Sequence, residues 1–215
     1  MALDWEPLPM PKRGYEREFV ELFHKLVGAT GARREQVMTW FLAISEPPFA
    51  TIGAPRIGYD AAADEWLHAR LEKSGRLAEL TAMQAKLRGD HVLEVMPPCD
   101  GFPVYSNHLH AEHLDRYSFH AELLGDPGLR GALGDVLWER AHEMMLVDDH
   151  RAFAERLFDV AIGFADDHKL PGHVETTREP VYPEGTAERR GHILFAAAKW
   201  CWYWSDRGHG LAVLQ

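Results

Sequence analysis

Residues Ala187–Leu214, AERRGHILFAAAKWCWYWSDRGHGLAVL, decide what kind of fold this chain can make. The run His192–Trp204 is its most apolar stretch, broken by Lys199. At about thirteen residues it falls short of the roughly twenty that a helix needs to cross a bilayer. It therefore reads as a core helix, predicted over Ala187–Asp206 and stopped by the two glycines of RGHG. At 100° per residue Trp200, Trp202 and Trp204 spread over roughly 240°. One or two of them must face a core, and another faces a loop, a ligand or a second subunit. LAVL, Leu211–Leu214, predicts a short C-terminal strand.

Working back from that helix, most of the chain carries helical periodicity. Tyr15, Phe19, Leu22, Phe23, Leu26 and Val27 are expected on one face of a helix ended by Gly28. Val37, Trp40, Phe41 and Ile44 mark a second over about Arg33–Ile44. Asp60–Gly75 and Arg76–Arg88 predict two more, and Leu129–Val147 and His150–Asp167 another two, with Asp148 and Asp149 placed as caps. Two segments have extended character instead. HVLEV (91–95) and FPVYS (102–106), joined by the turn chemistry of MPPCDG, predict an antiparallel hairpin. Pro7, Pro9 and Pro11 make residues 1–13 an extended arm. Ser45–Tyr59, with three prolines and two glycines, excludes a regular element, and Lys169–Thr186 is a second long loop. The expected architecture is α+β and predominantly α-helical, with six to seven helices. The hairpin and a strand near 211–214 lie side by side, in a single globular domain spanning residues 1–215.

The composition, 46% hydrophobic and 26% charged, suits a soluble globular chain able to bury a core. A net charge of −10 and the lack of any Lys/Arg-rich run argue against a nucleic-acid partner. Two cysteines, Cys99 and Cys201, are too sparse for a disulfide framework and favour a reducing, cytoplasmic setting. No signal-peptide pattern or membrane segment is legible at the sequence level.

The chemistry is concentrated in YSNHLHAEHLDRYSFH, Tyr105–His120. In His108-Leu-His110 the two imidazoles share one side of an extended backbone, and His113 reaches that side after a turn. Three neutral imidazoles at this spacing suit Zn²⁺ or Fe²⁺, with Glu112 as the residue that moves a proton. A fourth ligand would come from His91, His120 or a residue far along the chain. HLHAEH resembles the His-x-His-x-Asp-His signature of the metallo-β-lactamase family, with Glu112 in the aspartate position. The resemblance covers six residues. Leu114-Asp115 replaces the glycines that follow the motif in that family, and helices replace its upstream strands. Three Glu-x-x-His pairs, Glu21/His24, Glu65/His68 and Glu139/His142, have the spacing of ligands in helical-bundle metal centres. Each, however, falls opposite the apolar face of its helix and is expected to meet water. Two function classes follow. One is a small metal-dependent enzyme acting on a small molecule. The other is a non-catalytic acidic protein that binds a basic protein partner and whose histidines are incidental. In either case a homo-oligomer is compatible with the surface.

Overall fold

A computed structural model describes residues 4–51, 61–87, 123–170 and 182–214. The element order is β1 (Asp4–Pro7), β2 (Met10–Pro11), α1 (Glu16–Val27), α2 (Gly31–Ala43), β3 (Ser45–Glu46) and α3 (Pro48–Thr51). There follow α4 (Ala61–Lys73), a 3₁₀ turn (Leu77–Glu79), α5 (Leu80–Leu87), α6 (Pro127–Arg140), α7 (Val147–His168), α8 (Ala187–Asp206) and β4 (Leu211–Leu214). The fold is α+β and predominantly helical, with two short antiparallel strand pairs, β1–β4 and β2–β3. Among the described residues no helix is long and apolar enough to cross a membrane.

α8 is the axis of the main core. Thr186 caps its start by accepting from the Arg189 amide, and the residues from Gly191 to Ala198 are all buried. A helix covered on nearly every side needs neighbours on every side. α7 supplies one through Phe153, Ala154, Leu157, Ala161 and Ala165, where the alanines let the two backbones approach closely. α6 supplies Leu129, Leu133 and Leu137 at i, i+4 spacing. Trp200 and Trp204 are fully buried and Trp202 is 41% exposed, dividing the three tryptophans as the helical wheel requires.

The N-terminal arm is a structural strand. β1 and β4 pair antiparallel with Trp5 opposite Val213. Trp5 lies in the core, its Nε1 donating to the Ala141 carbonyl at 2.9 Å and its ring packed edge-on against Phe153. The strand expected at Leu211–Leu214 is therefore present, and among the described residues its ladder partner is the arm. The hairpin expected at 91–95 and 102–106 lies outside the described residues. Leu8 continues the arm into a second apolar cluster with Phe19, Leu22, Phe23, Leu26, Val37 and Phe41 from α1 and α2.

Three further expectations need correction. Ser45–Tyr59 is not wholly irregular, because Ser45–Glu46 pairs with β2 and Pro48 starts α3. Proline at the first helical position loses no hydrogen bond, so the Pro47-Pro48 pair is compatible with that turn. The helix expected over Leu129–Val147 ends at Arg140, since Met145 leaves helical geometry to exchange both backbone hydrogen bonds with Leu211. Asp148 and Asp149 lie in the first turn of α7 rather than at its N-cap, Leu146. There their negative charge complements the positive end of the helix dipole, and Asp149 pairs with Arg140 at 3.0 Å.

Candidate functional site

His108, His110, His113 and Glu112 lie outside the described residues, as do Cys99, His91 and His120. The three Glu-x-x-His pairs are described. Glu21, His24, Glu65, His68 and Glu139 are exposed, as their helical phase predicts. His142 is half-buried and turned onto its own helix, stacking on Trp138 at 4.3 Å with Nδ1 2.7 Å from the Trp138 carbonyl. These pairs do not converge. Among the described residues no three His, Cys, Asp or Glu side chains come together as a metal site.

The most constructed polar site in the described residues is one that sequence reasoning passed over as a helix stop. α8 ends with Gly208 at φ 87°, the Gly208 amide bonding to Ser205 O and the His209 amide to Trp204 O. That double closure is the Schellman pattern, in which a left-handed glycine turns the chain back across the helix end. The turn drives the His209 side chain inward, where it is fully buried and edge-on to Trp204. Its Nδ1 lies 2.9 Å from the Leu8 carbonyl and its Nε2 2.7 Å from Thr51 Oγ1 at the end of α3. Its own carbonyl accepts from Nδ1 of His150, in the first turn of α7, at 2.9 Å.

Gly210 completes the arrangement. Its carbonyl accepts from the Leu8 amide at 2.9 Å, and a Cβ built on it would collide with the Met145 carbonyl oxygen. Only glycine lets the tail pass between the arm and the α6–α7 connection. Residues Gly208–Leu211 thereby fasten α8, α7, α3 and β1 at one point.

A carbonyl can only accept, so Nδ1 carries the hydrogen in both histidines. His150 is fully buried beside Trp200, with ring centroids 5.9 Å apart, and its Nε2 has no hydrogen-bond partner among the described residues. Burial in this apolar setting holds its pKa down at about 4, against a smaller upward pull from the His209 carbonyl. Burial lowers the pKa of His209 too; the Leu8 carbonyl pulls it up and the Arg207 charge adds to the lowering. At neutral pH the site is a pair of uncharged imidazoles acting as cross-links.

A second buried-edge device holds α6 to α8. Asp126 caps α6 by accepting from the Gly128 and Leu129 amides, at 2.6 and 3.1 Å, and receives Arg190 Nε on both oxygens. Burial would raise the pKa of Asp126, but the Arg190 hydrogen bond and the two amides outweigh it and lower it. Between α6 and α7 an open cleft of about 400 Å³ is lined by Val136, Glu139, Arg140, Glu143, Phe153 and Arg156, among others. Its Arg140 is engaged by Glu143 and Asp149.

No protein-family model, curated protein or solved structure matches this chain.

Proposed function

We propose that this chain is a small cytoplasmic enzyme acting on a small molecule with the help of one Zn²⁺ or Fe²⁺ ion. His108, His110 and His113 would hold the metal, and Glu112 would move the proton of the water it activates. The observation that carries this reading is the His-x-His-x-Glu-His spacing itself. Two imidazoles on one side of an extended chain, with a third just past a turn, supply most of a tetrahedral set. The described histidines have other surroundings. His24, His68 and His168 are exposed singly, His142 is stacked on its own helix, and His150, His192 and His209 are buried among aromatic rings.

Metal analysis of the protein purified without chelator tests the proposal. About one equivalent of metal is expected in the native chain, lost in His108→Ala and His110→Ala. A metal-free native chain whose variants melt at the same temperature would sink it. That second result would favour the acidic interaction protein, for which one observation speaks. Val27, Trp40 and Leu42 are more than half exposed on α1 and α2, in a chain of net charge −10.

A further inference from the structure

His209 sits in a line of hydrogen-bonding groups whose hydrogens can be counted. The Pro48 carbonyl is 2.6 Å from Thr51 Oγ1, Oγ1 is 2.7 Å from His209 Nε2, and Nδ1 is 2.9 Å from the Leu8 carbonyl. Both ends of the line are carbonyls, so three contacts require three hydrogens. A neutral imidazole and a hydroxyl supply two. Nδ1–H must face Leu8, which leaves one hydroxyl hydrogen contested between Pro48 O and Nε2. An imidazolium supplies the third: Nε2–H then donates to Oγ1, and Oγ1–H donates to Pro48.

We propose that His209 is a proton-operated latch between the C-terminal tail and α3, in which uptake of one proton at Nε2 turns the Thr51 hydroxyl from the imidazole to Pro48. The contested neutral contact becomes a charge-assisted hydrogen bond, roughly twice as strong as a neutral one. The line of acceptors therefore favours the proton that burial resists. Among the described residues, the groups bearing on His209 from each packed element are few. α8 ends in Arg207, which disfavours the proton, and α7 presents His150, itself held neutral by burial. The residue after β1 and the end of α3 present the Leu8 carbonyl and the Thr51 hydroxyl, neither of which titrates, and β2 presents Met10 beside Gly208. The latch is independent of the metal reading, since none of its groups belongs to His108–His113.

Histidine nitrogen and ring-carbon shifts of the full chain, followed by NMR from pH 8 to pH 4.5, test it. The neutral protein should show His209 as the Nδ1–H tautomer with an unprotonated Nε2, titrating below the ordinary histidine range. Thr51→Val should lower the proton affinity of His209 about three- to tenfold, because the variant removes the acceptor that only the imidazolium can use fully. Thr51→Ser should restore it. An Nε2–H tautomer in the native chain overturns the latch whether or not the valine variant folds. So does a His209 titration that is the same in native, valine and serine chains.

Discussion

Acid should unfold this protein through His150 before its carboxylates are neutralised. The side chain is fully buried, Nδ1 is spent on the His209 carbonyl, and among the described residues Nε2 has no partner to take a second N–H. Its pKa is about 4 in the fold against the ordinary 6.5 in an unfolded chain. A group depressed in the native state contributes stability that is complete above the unfolded value and disappears as pH falls toward the folded one. At 1.36 kcal/mol per pH unit, about 2 kcal/mol is lost by pH 5 and about 3 kcal/mol by pH 4. His209, lowered for the same reason, adds to the loss in the same direction. For a domain stable by roughly 5–15 kcal/mol this is a large share. Urea unfolding at half-unit steps from pH 7.5 to pH 5 would read the slope. His150→Asn keeps a donor toward the His209 carbonyl and removes the titration. It should cost about 1–3 kcal/mol at pH 7.5, as an imperfectly filled core site does, and flatten the slope by nearly one proton. A variant whose stability falls with pH as steeply as the native chain's would refute the reasoning, as would a native His150 that titrates near 6.5.

Other perturbations reach different joints of the fold. Gly210→Ala places a methyl group against the Met145 carbonyl, and a loss above roughly 3 kcal/mol, or no folded protein at all, is expected from thermal melts. Gly208→Ala should cost about 1 kcal/mol, because φ is 87° and the new carbon meets only the flexible end of Met10. Trp5→Ala should lose about 3–5 kcal/mol in denaturant unfolding, with Trp5→Phe recovering most of the ring packing but not the bond to Ala141. Asp126→Ala removes the α6 cap and should cost about 1–2 kcal/mol, measured by the same unfolding curves. Because the pKa of Asp126 is lowered, its contribution is present above the ordinary carboxylate value and fades as pH drops through the folded one.

The helices were legible because their apolar residues repeat at helical spacing and their ends carry glycine or proline. α8 begins and ends where the pattern of Ala187–Asp206 places it, and helical phase was enough to send Glu21, His24, Glu65, His68 and Glu139 outward, though not His142, which is half-buried against Trp138. Long-range pairing was not legible. Nothing local in Asp4–Pro7 says that its partner is Leu211–Leu214, and proline-rich composition looked like a loose arm while Trp5 was in fact a core residue. His209 was hidden for a related reason. Between two glycines it has no helical or strand period to reveal which way it points, and its burial comes from Leu8, Thr51 and His150, all remote in sequence. The flanking glycines were the available signal, since one supplies a left-handed turn and the other a close backbone passage.

The fastening of Leu8 to His209 spans 201 residues, and that separation sets a clock on synthesis. At about 5–20 residues per second, roughly 10–40 s pass between the emergence of the arm and that of its partner. Throughout that interval β1, with Trp5, and Leu8 just after it lack the backbone partners that Gly210–Leu214 supply, while the helices between can already begin to form. A nascent chain of this protein is thus expected to need shielding at Trp5 and Leu8 rather than along its helices, and slowing translation should lengthen the exposure in direct proportion.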